Sequence, residues 1–251
     1  MKQSSSGETP PLSRVRWSKA RRIVPTRYPP IDLFEDIADP EDWDLLVAAE
    51  AKTNPRVCAD VGRLDLVPVA RRVSGPGASY LMAPFVHVST NRPGRFHDGT
   101  YGAWYAANRF QTAVAETAHH LAAFYRSTAQ APGWLVQMRE LIAQVDHRFH
   151  DLRAAPDFAD ALDPVNYAPS QALAWRLRSE AASDGIVYPA VRDEQGEALA
   201  VFWPDVVRLP LTPGRHLGYH FDGTLIDYVR DASSGELWRL HASAPATDAN
   251  P

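Results

Sequence analysis

Residues 91–120, NRPGRFHDGTYGAWYAANRFQTAVAETAHH, carry three side chains of complementary chemistry: Arg95, Tyr105 and Glu116. A guanidinium forks onto phosphate oxygens in a way an ammonium does not. A tyrosine offers a flat face for a base or nicotinamide ring and a hydroxyl at its edge. A carboxylate beside a ribose can hydrogen-bond its hydroxyls and stabilise an oxocarbenium-like transition state, as in glycosidases. Together they describe a pocket for a dinucleotide whose glycosidic bond breaks there. Each also has a plainer reading: Arg95 pairing with an acid, Tyr105 filling a core, Glu116 covering a helix flank. His119 and His120 project about 100° apart on a helix, so they do not chelate together. One of them, taken as His120, is expected to line the pocket beside Glu116.

These residues need a strand–helix corner to hold them. TYGAWYAA reads as a strand with Tyr101, Ala103, Tyr105 and Ala107 on one face. Asn108 with Gln111 resembles a capping box opening the helix RFQTAVAETAHHLAAFYRS, whose stripe of Val114, Thr117, Leu121 and Phe124 or Tyr125 leaves Glu116 beside the packed face. Upstream, Asp39–Pro40 suits a helix start, and 80–89 reads as an extended apolar segment. Downstream, LVQMRELIAQVDHRFHDLR reads as a strand running into irregular chain, and Ser170 as the cap of a second helix. DGIVYPAV and ALAVFWP form a strong hairpin signal, and HLGYHFDGTLIDYV suggests another. Strands and helices mix without βαβ alternation, so the predicted class is α+β.

The chain has 251 residues, a net charge of −4 and one cysteine, Cys58. That balance argues neither for nucleic acid nor for a membrane surface, and a lone cysteine excludes an internal disulfide. No apolar run reaches membrane-spanning length and no signal-peptide core is visible, so a cytoplasmic protein is expected. Residues 1–25 read as a disordered basic arm, with Arg14, Arg16, Lys19, Arg21 and Arg22 solvated or touching an acidic partner. Neither a Rossmann nor a P-loop fingerprint occurs, and no nucleophile elbow supports a serine hydrolase. The pairs His216/His220 and His147/His150 would need a helix to converge, so no metal is expected.

GRFHDGTYGAWYAANRFQTAVAETAHH, followed by YAPSQALAWRLRSEAASDGIVYPAVRDEQGEALAVFWP, resembles the RES-domain family, named for Arg, Glu and Ser residues. Both blocks occur in the family's order, over roughly residues 79–212. The resemblance implies an ADP-ribosyltransferase-like mixed sheet with flanking helices. Residues 26–78 would form an N-terminal helical extension and 213–251 a C-terminal hairpin and tail. It further implies a toxin of a RES–Xre toxin–antitoxin pair that consumes NAD by splitting the nicotinamide–ribose bond. By the same resemblance Arg95 grips the pyrophosphate, Tyr105 contacts the ring, Glu116 is catalytic, and Ser170, or nearby Ala168, is the family serine. The implied partners are an Xre-type helix-turn-helix antitoxin and a phosphate or protein acceptor, with a homodimer allowed and no membrane.

Two departures stand out. Family members commonly open with a strand whose arginine enters the site, whereas the matching stretch here holds Glu35 and Asp36, leaving Arg27 or Tyr28 as substitutes. The second-half strand, usually ending Pro-Ser, reads Pro189–Ala190–Val191. These changes motivate two rivals: a catalytically silent nucleotide- or partner-binding relative, and a nucleic-acid module working through the basic arm.

Overall fold

The structure, a computed structural model, describes residues 8–26, 39–52 and 60–240. Eight strands form one mixed sheet: β1 (Leu12–Pro25), β2 (Trp104–Ala107), β3 (Gly133–Asp151), β4 (Gly185–Pro189), β5 (Glu197–Val201), β6 (Val207–Phe221), β7 (Ile226–Asp231) and β8 (Leu237–Arg239). Their order is β1-β2-β5-β4-β3-β6-β7-β8, and an additional antiparallel β1–β3 pairing closes the first five into a ring. Every neighbouring pair is antiparallel except β3–β4. The helices are α1 (Trp43–Glu50), α2 (Ala78–Val86), α3 (Phe110–Ser127) and α4 (Ala168–Glu180). The fold is α+β, as expected.

The basic arm is the main correction. Residues 12–25 are a fourteen-residue strand paired with β3 from Leu12↔His150 to Pro25↔Met138. The reason lies in a period of two. Arg14 and Arg16 face outward while Val15 is buried; a register shift between Trp17 and Ala20 then buries Ala20 and Ile23. A composition reading counts the charges and misses the alternation.

Other elements differ locally. The segment from Tyr80 is helical in α2, with Leu81, Met82, Phe85 and Val86 in the core; a short apolar run suits a buried helix as well as a strand. The strand of TYGAWYAA is confined to Trp104–Ala107, because Gly102 presses against α2: a Cβ there would meet the Pro84 carbonyl oxygen at 1.8 Å. The capping box does not form. Asn108 Oδ1 accepts the Glu197 main-chain N–H at 2.9 Å, and extended Arg109 caps α3. α1 starts at Trp43 behind Asp42, not at Asp39–Pro40. β3 stays regular through Asp151 instead of dissolving, and the β4–β5 and β6–β7 hairpins form as expected.

Three buried clusters hold the molecule. One joins α2 to β1 and β3, one packs α4 on β4 and β5, and one seats α3 against β6 and β7. α2 thereby covers one face of the β2–β5–β4 strip, through Val187, Leu199 and Val201, and α4 packs on the other, through Ile186, Tyr188, Ala198 and Ala200.

Candidate active site

A cleft of about 260 Å³ opens between β1, β2, α3 and β4, and Arg95, Tyr105, Glu116 and His120 all line it. Backbone geometry explains the convergence. β2 delivers Tyr105, the chain turns into α3, and Glu116 and His120 follow one turn apart on the helix.

Arg95 is 8% exposed and belongs to the loop before β2. Its Nη1 donates to the carbonyl oxygens of Asp163 at 2.6 Å and Ala161 at 3.3 Å, and its guanidinium lies 4.5 Å from the centre of the Tyr167 ring. The Tyr105 hydroxyl accepts the Phe96 main-chain N–H at 2.9 Å, and burial lifts its pKa well above the usual phenol range. The phenol therefore anchors the Arg95 loop while its ring forms cleft wall. Gln171 braces the same loop from α4, donating to the Gly94 carbonyl at 2.9 Å. A side chain at Gly94 would run into Tyr105 Oη at 2.9 Å.

Glu116 Oε1 accepts the main-chain N–H of Arg192 at 3.3 Å. Burial pushes its carboxyl pKa up, and the charges of Arg192 and Arg95 pull it back. Tyr188, 5% exposed, lines the cleft from β4 with its ring edge-to-face on Phe96 at 4.8 Å.

Ser170 does not join these residues. It is fully buried in the first turn of α4, donating to the Tyr167 carbonyl at 2.9 Å, and is absent from the cleft lining. Its hydroxyl secures the backbone of the tyrosine that Arg95 stacks on, so the structure sets it behind the cleft wall and not, as expected, beside the other three. Ala190, the second departure noted in the sequence, is buried in the cluster that packs α4 on β4 and β5. Arg27, Tyr28, Glu35 and Asp36 lie outside the described residues.

Sequence reading missed Arg21 and Arg22. Both line the cleft from β1. Arg21 pairs with Glu140, which is 1% exposed. Arg22 Nη1 donates to the Tyr105 carbonyl at 3.1 Å, and desolvation pushes its pKa down to about 10. Among the described residues no carboxylate pairs with it. The alternating RVRWSKARRIV was the signal that could have revealed them.

A second, more open hollow of about 430 Å³ lies beside β3 and the turn before β4. Arg14 pairs there with Asp146, His147 Nε2 lies 2.7 Å from Asp184 Oδ2, and the hollow contains none of the residues above. Among the described residues no three His, Cys, Asp or Glu side chains gather to hold a metal ion, and no helix is long and apolar enough to cross a membrane.

The geometry defines an α+β protein whose cleft suits an anionic, ring-bearing ligand: two guanidiniums, of Arg22 and Arg95, that pair with no carboxylate among the described residues, aromatic walls and one part-desolvated carboxylate. The family model described as RES domain matches residues 69–222, and the chain belongs to the RES-domain family, one associated with NAD-related toxins. It is also 30% identical over 223 residues to the uncharacterized protein y4oC of Sinorhizobium fredii, covering 86% of this chain and 89% of that protein.

Proposed function

We propose that this chain consumes NAD by cleaving the bond between nicotinamide and ribose, as the toxin of a toxin–antitoxin pair. The observation that carries the reading is the meeting of Arg22, Arg95 and Glu116 in one cleft, from β1, the loop before β2, and α3. Arg22 and Arg95 would take the pyrophosphate, the more readily because Arg22 pairs with no carboxylate among the described residues. Tyr105 and Tyr188 wall the nicotinamide end. Glu116 binds a ribose hydroxyl and faces the positive charge that grows as the C1′–N bond breaks and its electron pair leaves with nicotinamide. An acceptor oxygen of water, phosphate or a protein side chain then bonds to C1′ and loses its proton to solvent. At about 260 Å³ the cleft is small for a ligand site, which usually spans about 300–1,000 Å³. It therefore suits the nicotinamide riboside half, with the adenosine half towards the mouth.

The test is nicotinamide release from NAD by purified protein, with and without phosphate, alongside transfer of label from labelled NAD to protein. Release or transfer is expected and is abolished in Glu116→Gln. Absence of both in the wild-type protein would reject the reading. Family membership adds an Xre-type antitoxin partner and a cytoplasmic setting to the proposal; co-purification with the product of an adjacent helix-turn-helix gene tests the former.

One observation favours a rival in which the cleft binds without turnover. Arg95 Nη1 already donates to two carbonyl oxygens, and among the described residues no serine lines the cleft. Calorimetry separates the two readings: NAD binding with no breakdown supports the silent binder.

A further inference from the structure

The connection between β4 and β5 folds back along α3, meeting it residue by residue. Arg109, Thr112, Glu116 and His119 are spaced by three, four and three, one stripe of the helix. Each contacts the connection. Arg109 Nη1 donates to Gln195 Oε1 at 3.1 Å, Thr112 Oγ1 donates to Asp193 Oδ2 at 2.5 Å, and Glu116 Oε1 accepts the Arg192 main-chain N–H at 3.3 Å. At the far end, Arg192 Nη2 lies 3.0 Å from His119 Nε2 and donates to the Pro164 carbonyl oxygen at 2.8 Å.

A guanidinium has no lone pair to offer, so His119 Nε2 accepts and the ring is neutral with its proton on Nδ1. Burial, followed by the Arg192 charge, presses the His119 pKa down to about 4 and keeps it in that form. Arg192 therefore joins three segments: the turn that carries it, the catalytic face of α3, and the strap preceding α4 that Arg95 also grips through Ala161 and Asp163.

We propose that Arg192 is a positioning residue: by tying the β4–β5 connection to Pro164 and His119, it holds its own main-chain N–H on Glu116 and keeps that carboxylate turned into the cleft. The inference rests on reading Glu116 as the charge-stabilising carboxylate. The other groups facing Glu116 are Arg95 from the loop before β2 and the Tyr188 phenol from β4. Arg22 of β1, Tyr105 of β2, Tyr167, and His120 one turn along α3 share the cleft. Arg192 alone among the cations also supplies a hydrogen bond to the carboxylate.

The experiment compares full-length wild-type protein with Arg192→Met and Arg192→Lys. It follows kcat and KM for NAD against pH, together with the ¹³C carboxyl titration of Glu116, assigned by its loss in Glu116→Gln. In Arg192→Met, kcat falls about ten- to a hundredfold with KM little changed, as expected for a misplaced catalytic group. The acidic limb of kcat and the Glu116 titration both move up by about one pH unit or more, because an opposite charge has gone. Arg192→Lys restores the charge, so the limb returns towards the wild-type position, while kcat stays low because lysine cannot span Pro164 and His119 together. A limb and titration unmoved in Arg192→Met overturn the proposal, since a merely structural arginine would lower only stability. If wild-type protein releases no nicotinamide, the proposed reaction fails, and the Glu116 titration still decides the role of Arg192.

Discussion

Arg22 on β1 donates a 3.1 Å hydrogen bond to the carbonyl oxygen of Tyr105 on β2, joining two residues 83 positions apart at the floor of the cleft. The bond seats a desolvated cation that pairs with no carboxylate among the described residues. Its desolvation is a cost that the fold carries at every pH below about 10, where the guanidinium is charged. Replacing Arg22 by methionine removes that cost and keeps the side-chain stem, so thermal stability holds or rises. Affinity for NAD falls by tenfold or more, because a hydrogen bond to a charged group is worth about 1.5–3 kcal/mol. Thermal melts and calorimetry on the same preparations check both halves; a loss of stability without loss of affinity sinks the assignment.

Glu116 makes a related prediction about pH. Burial raises its folded-state pKa above the unfolded value, so ionisation is less favourable in the folded chain. The sign follows: the native state is penalised as pH rises through the interval between the two values, and the penalty is complete above the folded value. Glu116→Gln is therefore expected to melt higher than wild type at pH 7, with the advantage fading once pH drops below the usual glutamate range. Melting curves at pH 7 and pH 4 decide it. An advantage that is larger at pH 4 contradicts the burial account.

Glu140 carries a prediction about stability. It is 1% exposed, pairs with Arg21, and accepts the main-chain N–H of Arg215 at 3.1 Å. Glu140→Ala strands Arg21 beside the cleft and takes the acceptor from the Arg215 main-chain N–H on β6. Removing one partner of a buried pair costs about 3–5 kcal/mol, the lower figure applying because the Arg21 side chain keeps 19% exposure. Urea unfolding measures the loss, and a change under about 1 kcal/mol would place this pair among surface bridges.

Much of the site was legible because its parts are local. Arg95, Tyr105 and Glu116 fall within 22 residues, and a strand turning directly into a helix has few ways to orient them. The β4–β5 hairpin was legible for the same reason: two apolar runs flank a turn. The family's two motif blocks added order and spacing, and the match over residues 69–222 covers them.

What the chain's letters could not settle is long-range. RVRWSKARR carries a charge count typical of a solvated tail, and only pairing with β3, more than a hundred residues away, turns its alternation into a strand that puts Arg22 into the cleft. Ser170 carries the hydroxyl that chemistry wanted, yet packing of α4 on β4 and β5 buries it. Arg192 looked like a turn residue until the connection folded onto α3. Local order comes from propensities and turns that act over a few residues, and these are written into the sequence. Which buried charge goes unpaired, and which hydroxyl is sealed away, depends on contacts between distant segments that exist only once the core has closed.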